Sequence, residues 1–159
     1  LISIQIDQML AEKFGMEYTD KDGSRKHPYI IHRTSIGCYE RTLAYLIEKY
    51  AGAFPCWLAP TQVQIITVSD NNNDYAKQVE AKLQSIGVRV ETDLSNESVG
   101  KKIRNAVMTK SPYVLVLGDK EMADGTVAVR ARGSKDTATM SYADFEAELM
   151  NKINNKTLG

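Results

Sequence analysis

The sequence predicts an α/β protein: a mixed, mainly parallel sheet flanked by helices, preceded by a short segment of antiparallel β-structure and one helix. Three observations carry this prediction. From residue 63 to residue 117 the apolar spacing alternates between the strand period and the helix period. Ile2, Ile4 and Ile6 alternate with polar residues at the start of the chain, and Asp22-Gly23 marks a hairpin turn between two strand-like runs.

Taken in chain order, Ile2, Ile4 and Ile6 interleave with Ser3, Gln5 and Asp7, which predicts a strand with one buried face and one polar face. Residues 18–20 and 26–33 read as two strands joined through Lys21-Asp22-Gly23-Ser24. From Tyr39 the period turns helical, with Tyr39, Leu43, Leu46, Ile47 and Tyr50 on one face, Gly37 ahead of the helix and Gly52 behind it. Gly52, Pro55 and Pro60, interspersed with Phe54 and Trp57, make a packed connector. The expected division is therefore residues 1–52, a connector at 53–60, and a second domain at 61–159.

In that second domain, a strand at 63–68 leads to a helix at 74–86 stopped by Gly87, a strand at 88–91, a helix at 98–110 and a strand at 113–117. A β-α-β-α-β run with right-handed crossovers gives parallel strands with helices against the sheet. Ala123-Asp124-Gly125 turns the chain into a strand at 126–132. Ser141 with Asp144 resembles a capping box and starts a last helix reaching to about residue 153.

With apolar residues at 43% and charged residues at 25%, the composition is that of a folded globular protein and excludes disorder. Lys plus Arg and Asp plus Glu both number 20, so whole-chain charge points to no partner. The 101–136 segment is different, holding eight basic residues against four acidic ones. Its excess fits either a solvated face or a nucleic-acid footprint. Cys38 and Cys56 fit neither a disulfide framework nor a paired metal motif, which favours a reducing cytosol. No apolar run approaches the roughly 18 residues of a membrane span. The chain starts at Leu1, without Met and already inside a strand pattern, as expected of a piece of a longer protein.

The stretch that carries most chemistry is His32-Arg33-Thr34-Ser35-Ile36-Gly37-Cys38-Tyr39-Glu40-Arg41: a strand, a glycine turn and a helix start. Glycine lets the backbone approach a flat ligand, and arginine offers a planar, permanently charged fork to phosphate oxygens. The plainer alternative is that Glu40 and Arg41 decorate an exposed helix end. This stretch resembles motif 3 of class II aminoacyl-tRNA synthetases. Pro28-Tyr29-Ile30-Ile31-His32-Arg33 and Tyr50-Ala51-Gly52-Ala53-Phe54-Pro55-Cys56-Trp57-Leu58-Ala59-Pro60 are similar to the threonyl-tRNA synthetases in particular. So are Asn96, Glu97, Gly100, Lys102, Ile103 and Arg104, then Gly118-Asp119-Lys120-Glu121 and Gly125-Thr126-Val127, and the resemblance covers nearly the whole chain.

That resemblance implies a β and helix remnant of a class II catalytic core followed by an anticodon-binding domain. It implies threonine-tRNA ligase activity, the ATP-dependent activation of threonine and its transfer to tRNA(Thr), in a cytoplasmic homodimer, with this piece inactive alone. Gly37, Glu40 and Arg41 would meet ATP, with magnesium held upstream. His32 would be one of three protein ligands of a zinc ion that grips threonine. Gln5 would line the aminoacylation pocket, and Cys38 stands where the family commonly has Ser beside the substrate. Asn96, Glu121 and Arg130 would face the anticodon, while Lys101, Lys102 and Arg104 would meet the tRNA backbone at a helix start. Plainer readings stand beside these: a solvated edge for Gln5 and Asp7, a structural histidine at 32, and a cross-strand ion pair between Glu121 and Arg130. For the whole protein the alternatives are a catalytically inactive synthetase-like tRNA-binding or scaffold protein, and a prolyl, histidyl or glycyl sister enzyme.

Overall fold

The computed structural model describes residues 3–34 and 38–158. The chain divides into two compact units, Leu1–Leu46 and Ile47–Gly159. In the first, β1 (Ser3–Asp7) pairs antiparallel with β4 (Ile30–Thr34), so that Gln5 lies opposite His32 and Ile6 opposite Ile31. Asp7 ends β1 and caps α1 (Leu10–Lys13), its Oδ1 accepting the N–H groups of Met9 and Leu10 at 2.9 Å each. Those backbone hydrogen bonds, Leu10's first, hold its carboxyl below the usual carboxylate range.

Around the Asp22-Gly23 turn, β2 (Tyr18–Thr19) pairs with β3 (Arg25–Lys26). The expected second strand at 26–33 is not continuous. Pro28 has no N–H to give to a ladder, so pairing with β2 stops at Lys26 and resumes at Ile30 with a different partner, β1. The buried face expected for the first strand is also absent among the described residues, since Ile4 is 65% and Ile6 60% exposed. Ile2 lies outside the described residues. The helix expected after Gly37 forms as α2 (Tyr39–Tyr50), with the apolar spacing in place and none of its residues buried. Two two-stranded ladders, the four-residue α1 and α2 supply too little surface to cover such faces.

The second unit is a five-stranded sheet in the order β6 (Val90–Asp93), β5 (Val63–Thr67), β7 (Tyr113–Leu117), β8 (Thr126–Ala131), β9 (Ala138–Ser141). β5 is parallel to both of its neighbours, β8 is antiparallel to β7, and β9 is antiparallel to β8. Four strands therefore run one way and only β8 runs back. Every residue of β5, an inner strand with parallel neighbours on both sides, is buried. On one face Val63, Ile65, Leu115, Val127 and Val129 pack with Val79 and Leu83 of α3 (Asn73–Ser85) and with Phe145 and Leu149 of α6 (Tyr142–Asn154). On the other, Ile66 and Val114 pack with Val99, Ile103 and Ala106 of α4 (Val99–Met108).

The start of the last helix is as read from the sequence, with Ser141 Oγ accepting from the N–H of Asp144 at 3.1 Å. Ala123-Asp124-Gly125 is a different object. It is the end of a short helix, α5 (Asp119–Asp124), closed by Gly125 in the left-handed region at φ 65°. β9 and α5 add two elements that the periodicity does not announce.

Candidate functional site

From β5 the chain crosses to β6 on one side, and from β6 it returns through α4 to β7 on the other. Strand order thus reverses between β5 and β7, and ligands of open α/β sheets characteristically sit outside the carboxyl ends of the strands at such a point. The N–H of Val68 donates to Leu117 O at 2.9 Å and holds the two strand ends together. Beyond it the chains part, one into a 3-10 turn (Asp70–Asn72), the other into α5.

Glu121 is fixed here. Its Oε2 accepts the N–H of Gly118 at 3.0 Å, capping α5 and leaving the other carboxylate oxygen out of that bond. A Cβ on Gly118 would lie 3.2 Å from Glu121 Oε2 and 3.2 Å from Val68 Cγ2, so any larger residue would displace the carboxylate. Asn96 is exposed in the loop that leaves β6, whose first turn forms where Ser95 donates its N–H to Asp93 Oδ1 at 2.9 Å. Hydrogen bonding from Ser95 and the nearby Lys102 ammonium hold the Asp93 carboxyl below its ordinary range. Asn96 and Glu121 therefore share one end of the sheet.

Arg130 does not join them. It pairs with Val114 near the start of β7, four residues or about 13 Å along the strand from Gly118. Its Nε donates to Ser134 O at 3.0 Å, and it lines a hollow of about 220 Å³ with Val107, Val114, Arg132 and Lys135. The cross-strand ion pair between Glu121 and Arg130 is accordingly not formed: the two side chains belong to opposite ends of the sheet and hold other partners.

The helix-start cations also separate. Lys101 is exposed and pairs with Glu97 at 2.6 Å, and Arg104 is exposed. Lys102 is only 3% exposed, its Nζ donating to Thr67 O and Oγ1 at 3.2 Å each and to Asp93 O at 3.4 Å. The expectation of a phosphate contact fails for Lys102, because its ammonium is spent on the ends of β5 and β6. The signal was present in the spacing, since Val99, Lys102, Ile103 and Ala106 share one helical face. Arg132 is likewise engaged, donating to Phe54 O at 2.8 Å and Lys110 O at 2.9 Å. Lys120 and Lys135 remain exposed near the switch-point helix and the hollow respectively.

Sequence reading passed over Asn72 and Asp119. Asn72 is fully buried; its Oδ1 accepts from the N–H of Ser69 at 3.2 Å and from Ser69 Oγ at 2.9 Å, and its Nδ2 donates to Asp119 Oδ1 at 2.7 Å. The available hint was the unbroken polar run Ser69 to Asp74 soon after the buried strand β5.

In the first unit, register brings together two candidates 27 positions apart. Gln5 and His32 are directly opposed and exposed, and Ser3 and Thr34 next to them share a hydroxyl hydrogen bond of 2.9 Å. Cys38, Glu40 and Arg41 are exposed at the start of α2, while Gly37 lies outside the described residues. Among the described residues no three His, Cys, Asp or Glu side chains are grouped to hold a metal ion, so His32 does not make a zinc site with its neighbours. No helix among the described residues is long and apolar enough to cross a membrane.

Residues 62–152 match the family of anticodon binding domains, and residues 1–50 match the class II tRNA synthetase core domain of the G, H, P, S and T enzymes. The chain is 53% identical over 156 residues to threonine–tRNA ligases of Clostridium botulinum (strain Eklund 17B) and Clostridium perfringens (strain SM101), covering 98% of this chain and 24% of each relative. It spans about a quarter of the length of the curated relatives it matches. Among solved structures it is similar to the RNA binding domain of threonyl-tRNA synthetase from Cryptosporidium parvum Iowa II, with TM-score 0.73, 32% identity, and coverage of 94% of this chain and 38% of that one.

Proposed function

Because this chain belongs to the threonine–tRNA ligase family and carries its anticodon-binding domain, we propose that it serves the charging of tRNA(Thr) with threonine by reading the anticodon at the β5/β7 switch point. The observation that supports this most is the convergence of Asn96 and Glu121 at the carboxyl ends of the strands, with Glu121 held by the Gly118 N–H. A carboxylate with one oxygen pinned presents the other to the N–H groups on a base edge, and an amide both donates and accepts there. Arg130, some 13 Å away along the strand, meets a different nucleotide, with the apolar floor of its hollow available to an unstacked base. Lys101, Arg104, Lys120 and Lys135 supply the salt-dependent attraction for phosphates.

For the catalytic chemistry the residues of the first unit would act in concert with groups from the rest of a threonine–tRNA ligase. Arg41, with Gly37 and Glu40, would hold ATP phosphates by its planar fork. Gln5 would orient substrate beside His32, and Cys38 would border the same pocket. His32 would offer one nitrogen to a zinc ion whose other ligands are not grouped around it among the described residues, and magnesium would bind through the nucleotide. A homodimer in the cytoplasm completes the proposal.

The test is binding of the chain to an RNA hairpin carrying a threonine anticodon, with G in the middle, and to one with that base replaced. A preference of at least about tenfold for the first is expected. Equal affinities would overturn the reading. No observation favours an inactive scaffold protein.

A further inference from the structure

Three loops leave the carboxyl ends of β5, β6 and β7, and the base-facing candidates Asn96 and Glu121 ride on the second and third. Edge recognition requires groups held to a fraction of an ångström, whereas loops are the part of a fold most free to move. α5, which carries Glu121, has only six residues and cannot fix itself by its own helical bonds. Some outside tie is needed.

The loop after β5 provides it. Asn72 is 0% exposed, and burying an amide is costly unless every hydrogen bond is met. Its bonds all run to loop groups: it accepts from Ser69 and donates across 47 positions to Asp119, the first residue of α5, two before Glu121. Nothing in this arrangement serves the apolar core. We infer that Asn72 is a positioning residue for anticodon recognition, its carboxamide tying the loop after β5 to the first turn of α5 and so fixing the Glu121 carboxylate at the switch point. This inference rests on the anticodon reading proposed above. Lys102 plays the matching part on the other side, where its ammonium joins the end of β5 to the end of β6.

The chemistry of the tie is specific. The position must accept from Ser69 while donating to a carboxylate, which an amide does and a second carboxylate cannot. Asn72→Asp would set two acceptors against each other. Combining Asn72→Asp with Asp119→Asn would return one donor and one acceptor to the bond.

Fluorescence anisotropy titrations with two labelled hairpins, one carrying the threonine anticodon and one with its middle base replaced, test the inference. Asp119→Ala alters an exposed side chain that packs in neither apolar cluster, and a circular dichroism melt checks that the variant is folded. It should weaken binding of the threonine hairpin about tenfold, leave the replaced hairpin unchanged, and so abolish the preference. Asn72→Asp should act alike, and the reciprocal pair should regain most of the preference. A general loss of structure would weaken both hairpins together and would not be rescued. Retained preference in Asp119→Ala, equal weakening of both hairpins, or failure of the folded reciprocal pair to recover would each overturn the inference. Absence of any preference in the unaltered chain would overturn the anticodon reading itself and this inference with it.

Discussion

Replacing Lys102 by Ala separates a buried lysine from a phosphate contact. In the structure its four-methylene stem is covered by α4 and the sheet, and its Nζ meets three oxygens. Deleting three of those methylenes, the Cβ staying as the alanine methyl, costs about 2.4 kcal/mol at ~0.8 each. Acceptors left unmet at the ends of β5 and β6 add about 1–3 kcal/mol. Relief from holding an ammonium out of water offsets part of this, leaving a net loss of about 2–4 kcal/mol. For a unit of about 110 residues, at about 4 °C per kcal/mol, the unfolding midpoint should fall by about 8–16 °C. Circular dichroism melts read this directly, and Arg104→Ala, on the exposed side of the same helix, should stay within about 0.5 kcal/mol of the parent. RNA titrations over a range of salt complete the comparison. Arg104→Ala should flatten the log–log salt dependence by about 0.7 for one lost phosphate contact, and Lys102→Met, which keeps the stem, should leave the slope alone. A stable Lys102→Ala protein with a flattened salt slope would refute the buried role.

Three further outcomes are expected. Glu121→Ala should lose about 1–3 kcal/mol on a threonine anticodon hairpin and far less on one whose middle base is replaced, and strict additivity across that double-mutant cycle would remove Glu121 from base reading. Burial, reinforced by Glu146, pushes the Tyr142 phenol up to about 12. The unfolded chain releases that proton near pH 10, so stability should be intact below pH 10 and decline between about pH 10 and 12; urea midpoints across this range should fall less steeply in Tyr142→Phe. With His32 a lone candidate ligand among the described residues, elemental analysis of the chain after dialysis should find well under one zinc per molecule, and tight stoichiometric zinc would mean that His32 has further ligands beside it.

What could be read in the sequence follows what local pattern encodes. β5 and β7 are legible because strands buried on both faces are largely apolar, and α6 because Ser141 and Asp144 write its first turn in two letters. β9 escaped because four residues of Ala, Thr, Met and Ser at an exposed edge carry no burial alternation. α5 escaped because its N-cap is a glycine with no capping side chain and the helix is only six residues long, so Glu121 reaching back three positions to the Gly118 N–H looks like a turn in one dimension. In the first unit the spacing of Ile4, Ile6 and Leu43 announces faces that the described residues do not cover. At the candidate site, residue types chosen by resemblance proved to have separate fates. Asn96 and Glu121 share one end of the sheet, Arg130 stands at the other, and Lys102 turns inward, since charge alone does not say on which side of a helix a cation lies. For Asn72 the sequence offers no more than a polar run after β5, its partner being 47 positions away.

The opposition of Gln5 and His32 has a consequence for how this part of the chain can change. Their relation is set by the ladder between β1 and β4, not by the 26 residues strung between them. Insertions, deletions or wholesale replacement of residues 8–29 can therefore leave the pair untouched, provided the pairing of the two strands is kept. A slip of one position in that pairing would instead move His32 to the other face and part it from Gln5 at a stroke. The intervening loop and hairpin are free to drift in length and composition, while the ten residues of the two strands must vary as a matched set.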